Sequence, residues 1–219
     1  MIRLLVNFLE FILKSFYQDR WFARFYVLET VARVPYFAYL SVLHLYESLG
    51  YWHKSDWLKV HFAESWNELH HLRIVESLGG GDRRLDRWIS RIGVLAYYWI
   101  LVFVYMVAPQ SAYYFNQLVE ERAYHTYDKF LNEHGDWLKT QPAPQVAINY
   151  YCTGDLYMFD EFQSANSSSQ NRRPKIENLY DVFLAMRNDE NEHVETMKLC
   201  QQPDAPEKLR SPHNPELIG

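Results

Sequence analysis

Two glutamate–histidine pairs lie far apart in the chain. Each has the spacing Glu-x-x-His: Glu68 with His71, and Glu190 with His193. On an α-helix, side chains three positions apart project from the same face, so each pair can offer one carboxylate oxygen and one imidazole nitrogen to the same point. Donors of this kind bind divalent metal ions. The two pairs are therefore candidate metal ligands.

Two further glutamates complete a recognisable ligand set. Glu29 stands alone among apolar residues, and Glu120 follows another apolar stretch, with Glu121 beside it as an alternative ligand. Two helices that each give one glutamate, and two that each give Glu-x-x-His, are the known pattern of ferritin-like di-iron and di-manganese proteins. Oxygen and imidazole donors without thiolates favour iron or manganese, and oxygen chemistry makes iron the first choice.

The competing interpretation is that some of these residues lie on solvated helix faces. A single Glu-x-x-His is common by chance in helical proteins, and the residues around Glu190 are strongly polar. The metal-site interpretation therefore depends on convergence. Buried carboxylates are costly unless they are paired or bind a cation, so four glutamates and two histidines meeting in a core would require one.

The sequence predicts an all-α fold, because it has no sustained alternation of apolar and polar residues of the kind that indicates strands. Proline and glycine predict where the helices end: before Pro35, at Gly50, at Gly79–Gly81 and at Gly135. The predicted helices are 17–34, 36–49, 55–78, 84–108, 111–134 and 176–200. We expect one domain over 1–200, with an amphipathic segment at 1–16 and a solvated loop at 163–174. A mobile polar tail over 201–219 should follow it.

Composition narrows the class of partner. The net charge of −5 and the lack of a dense basic run argue against nucleic acid, and two cysteines are too few for a thiolate metal site or a disulfide framework. Aromatic residues make up 17% of the chain, which suits either an aromatic core or a surface in contact with lipid headgroups. The apolar run 93–108 is shorter than the roughly 20 residues that a bilayer crossing needs, which favours attachment to one leaflet.

Four segments together resemble the alternative oxidases. They are Leu28-Glu29-Thr30-Val31-Ala32-Arg33-Val34-Pro35, Asn67-Glu68-Leu69-His70-His71-Leu72, the segment from Val119-Glu120 to Tyr127, and Arg187-Asn188-Asp189-Glu190-Asn191-Glu192-His193. The plastid terminal oxidase branch is the closer match. Its support comes from the segments 61–66, 124–130, 154–163 and 177–183.

The resemblance implies roles for individual residues. The metal ligands would be Glu29, Glu68, His71, Glu120, Glu190 and His193, holding two iron ions. Tyr127 would be the redox-active tyrosine, seven residues after Glu120, while Asn67, Asp189 and Glu121 would orient the ligands by hydrogen bonding. The quinol pocket would include Arg24, Leu28, Ala123 and Thr126. Where many alternative oxidases have a third glutamate, this chain has Arg122.

The implied function is a membrane-associated quinol oxidase that oxidises plastoquinol or ubiquinol, reduces dioxygen to water and pumps no protons. Its partners would be quinol, dioxygen and the lipid of one leaflet of a thylakoid or plasma membrane, and the family resemblance is compatible with a homodimer. Two rival classes share parts of the pattern. One is another di-iron carboxylate enzyme, a ferroxidase or hydroxylase; the other is a metal-free helical protein of the membrane surface.

Overall fold

The computed structural model describes residues 2–51, 55–153, 173–203 and Ala205, and these residues contain helices but no strand. The all-α prediction is confirmed. The helices are α1 (Ile2–Tyr17), α2 (Trp21–Ser48), α3 (Ser55–Ser77), α4 (Arg84–Val107), α5 (Pro109–Thr140), α6 (Gln145–Cys152) and α7 (Leu179–Cys200). Most of the predicted loop 163–174 and tail 201–219 lies outside the described residues.

The predicted break at Pro35 is wrong, because α2 runs without interruption from Trp21 to Ser48. A proline inside a helix removes one backbone hydrogen bond and usually bends or ends the helix. Here Pro35 and its neighbours Val34 and Tyr36 are all buried against other helices. Tertiary packing thus outweighs the local cost, and it keeps Glu29 and Tyr36 on a single helix.

Glycine marks two helix ends correctly and a third wrongly. α2 ends at Ser48, just before Gly50 with φ +76°. α3 ends at Ser77, and Gly79 has φ +84°, the left-handed conformation that ends a helix. Gly135, by contrast, lies inside α5, which continues to Thr140. A Cβ atom at Gly135 would stand 3.3 Å from the ring of Tyr180 on α7. Gly135 therefore serves close packing between α5 and α7, and does not end the helix.

Four helices, α2, α3, α5 and α7, pack together as a bundle. The buried apolar residues form two clusters. The first core includes Phe25, Ile74, Tyr127, Phe130 and Phe183, and the second core includes Tyr36, Tyr39, Trp57, Tyr105, Tyr113 and Met197. Each of the four helices contributes to both cores. The middle stretch of each helix therefore lies between two apolar layers that exclude water.

α1 and α4 present large apolar side chains to the outside. On α4 these include Leu85, Trp88, Ile92, Leu95, Trp99 and Phe103, and on α1 they include Leu4, Leu5, Phe8, Phe11 and Phe16. α4 has 24 residues, and only 17% of its most apolar 18-residue stretch is buried. The helix extends beyond the run 93–108 towards Arg84. Length and composition alone would therefore also allow it to cross a membrane.

Candidate metal centre

Six side chains meet in the middle of the bundle. They come from one position on α2, two on α3, one on α5 and two on α7, and none is more than 1% exposed. They are Glu29, Glu68, His71, Glu120, Glu190 and His193. The two Glu-x-x-His pairs thus point into the core. The polar residues around Glu190 are compatible with this, because the solvated side of α7 carries the exposed ones.

The six residues form two overlapping groups. Glu29, Glu68, His71 and Glu190 bring one ligand atom each to within 4.8 Å of the others, and Glu68, Glu120, Glu190 and His193 do the same. Glu68 and Glu190 belong to both groups. A carboxylate has two oxygens and can bridge two cations, so this arrangement fits two metal ions with one terminal glutamate and one histidine each.

The contacts inside the cluster are short but poorly directed for hydrogen bonds. His193 Nδ1 lies 3.0 Å from Glu68 Oε1, and His71 Nδ1 lies 3.2 Å from Glu190 Oε1. Even so, neither oxygen of Glu68 or of Glu190 has a hydrogen-bond partner in the described part of the chain. Orphaned buried oxygens that face one another are expected where a cation belongs. The donor set of oxygen and imidazole nitrogen fits iron or manganese.

The electrostatics of the cluster also favour a bound cation. Burial, together with the charges of neighbouring carboxylates, raises the pKa of Glu68 and of Glu120 well above the usual value. Burial opposes ionisation of Glu190 as well, but His193 and His71 lower the pKa of that carboxyl to about 2. Without a cation, the protein must hold protons on some of these carboxyl groups, because several negative charges in a dry core repel one another.

A hydrogen-bonded network holds one side of the cluster. The Asn67 amide donates to the hydroxyl of Tyr150 (2.7 Å) and to Asp189 Oδ2 (2.8 Å). The Tyr151 hydroxyl donates to the same carboxylate oxygen (2.8 Å), which lies 3.1 Å from His71 Nε2. Asp189 thereby leaves His71 Nδ1 to face the cluster. The expectation that Asn67 and Asp189 orient the ligands stays a prediction, and this geometry supports it.

The sequence interpretation missed both tyrosines because it assigned no helix to 145–152. α6 follows Pro144 and buries Tyr150 and Tyr151 against α3 and α7. A proline just before a helix is a common start signal, and Pro142-Ala143-Pro144 preceding an aromatic pair could have indicated this one.

Two more tyrosines reach the glutamates directly. The Tyr127 hydroxyl donates a short hydrogen bond to Glu29, and the Tyr127 ring stacks on Phe25 with centroids 4.4 Å apart. The Tyr36 hydroxyl donates to Glu120 Oε1 at 2.9 Å, a contact that the sequence did not indicate. Burial and the nearby charge of Glu29 raise the pKa of Tyr127, so its phenol stays protonated and able to donate.

The predicted quinol-pocket residues lie near one another on α2 and α5. Arg24, Ala123 and Thr126 are buried, Leu28 is half-buried, and an Arg24 Nη2 donates to Thr126 Oγ1 at 3.2 Å. Glu121 lies outside the cluster of six. Its carboxylate accepts a hydrogen bond from Gln117 at 2.8 Å. Of the two adjacent acids, the structure therefore brings Glu120 to the cluster.

The chain is similar to proteins of one known family. The sequence model of the alternative oxidase family matches residues 1–202. The chain is 55% identical to ubiquinol oxidase 4, chloroplastic/chromoplastic, of Arabidopsis thaliana, over 93% of this chain and 57% of that protein. It is 30% identical to the mitochondrial ubiquinol oxidase 2 of Nicotiana tabacum, over 81% of this chain and 53% of the relative.

A mitochondrial ubiquinol oxidase of Mangifera indica is 29% identical, over 81% of this chain and 50% of its own length. The chain spans about half the length of the curated relatives it matches. The higher identity to the chloroplast protein agrees with the resemblance to the plastid terminal oxidase branch. Because the family model covers nearly the whole sequence, the chain belongs to the alternative oxidase family.

Proposed function

We propose that the protein is a membrane-associated quinol oxidase that converts two quinols and one dioxygen into two quinones and two waters. The observation that carries the proposal is the buried cluster of four glutamates and two histidines, in two groups that share Glu68 and Glu190. Family membership supports it, as do relatives named ubiquinol oxidase. A ferroxidase or hydroxylase would use the same ligand set, but the exposed apolar faces of α1 and α4 favour a lipid-soluble substrate.

Two iron ions are the proposed occupants of the cluster. Glu29 and His71 would hold one, Glu120 and His193 the other, and Glu68 and Glu190, which belong to both groups, would contribute to holding both. When bound there, the two irons would supply the binding and reduction of dioxygen with electrons from the quinol. The two apolar cores above and below the cluster would keep bulk water away from it.

The residues around the cluster have proposed tasks of their own. Asp189 would accept the hydrogen bond of His71 Nε2–H and fix the orientation of that ring. Tyr127 would relay an electron, with its proton held between the phenol and Glu29. Arg24 and Thr126 would bind a hydroxyl group of the quinol, while Leu28 and Ala123 would contact its ring. No separate source of protons is required, because two quinols release the four protons that two waters take up.

Plastoquinol is the proposed quinol, and a thylakoid membrane or a plasma membrane of a photosynthetic organism the proposed location. The support is the similarity to a relative whose name is chloroplastic/chromoplastic. The proposed partners are quinol, dioxygen and lipid. The homodimer, with which the family resemblance is compatible, stays a prediction. Sedimentation of the protein in detergent would test it.

Oxygen uptake by the purified protein tests the proposed activity. We expect iron-loaded protein to consume oxygen when a short-chain plastoquinol analogue is added, with two quinols oxidised for each dioxygen. Removal of iron by a chelator should abolish the uptake, and reloading with iron should restore it. Uptake driven by ferrous iron but not by quinol would support a ferroxidase instead. No quinol-dependent uptake by protein that holds two irons would reject the proposal.

Monotopic attachment through α1 and α4 is part of the same proposal. Trp99, on the outward face of α4, is 67% exposed, and the chain offers Trp137 on α5, 47% exposed, as a matched control. We expect Trp99→Glu to reduce flotation with anionic lipid vesicles, and Trp137→Glu to leave it unchanged, because a charge in the acyl region is costly. Cysteines placed at Arg83 and Gln110 should both react with an impermeant reagent from the same side. Reaction from opposite sides would show that α4 spans the bilayer.

A further inference from the structure

α1 differs from an ordinary surface helix in exposing many large apolar side chains. Its polar residues recur at helical spacing, at Arg3, Asn7, Glu10 and Lys14, so they form one stripe. Large apolar side chains occupy much of the rest and are 43% to 73% exposed. An amphipathic helix on a water-soluble protein turns its apolar stripe inward. α1 contacts the protein through this polar stripe as well as through the buried Val6 and Tyr17.

Three of the four stripe residues, Arg3, Asn7 and Glu10, make polar contacts with α5. Arg3 Nε donates to the Tyr114 hydroxyl at 2.8 Å, and two turns further along both helices Arg122 meets α1. One guanidinium nitrogen of Arg122 donates to Asn7 Oδ1 at 2.6 Å, and its Nε lies 3.4 Å from Glu10 Oε2. Arg122 thus makes two contacts to α1. Lys14 also pairs with Glu10, within α1 itself.

Arg122 connects α1 to the predicted quinol pocket. Its side chain points to α1, whereas its backbone lies beside the predicted quinol pocket. The Arg122 carbonyl accepts a hydrogen bond from the Thr126 hydroxyl at 2.7 Å, and Thr126 in turn accepts one from Arg24. Burial lowers the pKa of Arg24, and Glu10 is close enough to oppose that shift. The contact between α1 and α5 is therefore adjacent to the pocket residues.

Polar pairs matter more than apolar packing for a helix in this position. If the outer face of α1 lies in lipid, the hydrophobic effect gives no preference for packing it against the protein, since acyl chains are as apolar as leucine. An ion pair at the edge of a low-dielectric layer is also stronger than the same pair in water. The Glu10–Arg122 pair and the Asn7 contact thus help to hold α1 in place, together with the buried Val6 and Tyr17.

We propose that Arg122 is a positioning residue for the quinol site: by binding Glu10 and Asn7 it holds α1 against α5, next to Arg24 and Thr126, and so maintains the lipid-side entrance of the pocket. The proposal rests on the proposed oxidation of a lipid-soluble quinol.

Charge reversal tests it. We expect Glu10→Arg and Arg122→Glu, each alone, to speed hydrogen exchange of the α1 amides in lipid nanodiscs by about tenfold, the change that a loss of about 1.4 kcal/mol produces. Each should raise the KM for a long-tailed quinol several-fold and leave kcat within about twofold, because the metal ligands are untouched. The double variant should recover both properties, since it restores the pair with its charges exchanged.

A matched control lies on the same helix. Lys139 pairs with Asp136 on an exposed part of α5, 3.7 Å apart, and Lys139→Glu should change neither exchange in α1 nor KM. Unchanged exchange in both single variants would overturn the proposed docking. Faster exchange with an unchanged KM would overturn the link to the pocket. If the wild-type protein proves to lack quinol oxidation, the oxidase proposal fails by itself, and the exchange data still decide whether the pair docks α1.

Discussion

Replacing Glu68 by glutamine is expected to abolish quinol-dependent oxygen uptake, because Glu68 belongs to both ligand groups. An amide has nearly the same shape as the carboxylate but carries no charge and cannot bridge two cations. Loss of partners that merely orient a ligand lowers metal affinity by roughly 10- to 100-fold, so loss of a shared ligand should exceed that. Iron content by elemental analysis and oxygen uptake are the measurements. Glu133→Gln, on an exposed part of α5, should retain both.

The same substitution should make the metal-free protein more stable. The pKa of Glu68 is raised by burial and by other carboxylates, so ionising it costs free energy in the fold as pH rises above its ordinary value of 4.5. We expect the metal-free Glu68→Gln protein to unfold at least about 2 °C above the metal-free wild type at pH 7, and the gap to narrow at pH 5. A lower Tm for the variant at pH 7 would contradict a repulsive, cation-requiring cluster.

Tyr127→Phe should remove activity while leaving the metal site filled. The substitution deletes the hydroxyl that donates to Glu29 and keeps the ring that stacks on Phe25. If Tyr127 takes part in the reaction, kcat should fall by about 10²-fold or more, the scale for loss of a group that acts on the reacting centre. Oxygen uptake and iron content, measured on the same sample, test this.

Tyr39→Phe is the control for Tyr127→Phe. Tyr39 is equally buried and also donates one hydrogen bond, to the backbone oxygen of Ala112 at 3.0 Å, but it contacts none of the six cluster residues through that hydroxyl. Its variant should lose some stability, about 1 kcal/mol for one hydrogen bond, and keep its kcat. Equal loss of kcat in the two variants would indicate that Tyr127 has only a structural role.

The sequence could predict the cluster because helical geometry is simple at short range. Glu68 with His71, and Glu190 with His193, share a face whatever the rest of the fold does. Convergence of the four helices did not follow from spacing, and it was inferred from the family pattern. Glu120 and Glu121 could not be separated by local sequence alone, since adjacent residues point to different faces and only packing decides which face is inside.

The predictions of helix bounds were wrong where tertiary contacts outweigh local preferences. Pro35 predicts a helix end, yet burial of its neighbours keeps α2 intact. Gly135 also reads as an end, although it provides the space for Tyr180. α6 has only eight residues, too short for a clear periodic pattern, and its tyrosines are recognisable only from their contacts to Asn67 and Asp189.

The sharing of Glu190 by both ligand groups has a consequence for biosynthesis. Glu190 lies on α7, the last helix along the chain among those that the structure describes. During translation, the earlier helices can emerge from the ribosome and begin to pack, but neither cation position is complete until α7 has joined them. Neither group of ligands can therefore bind a cation before α7 is made, and a newly made chain passes through a metal-free stage in which protons neutralise some of the interior carboxylates.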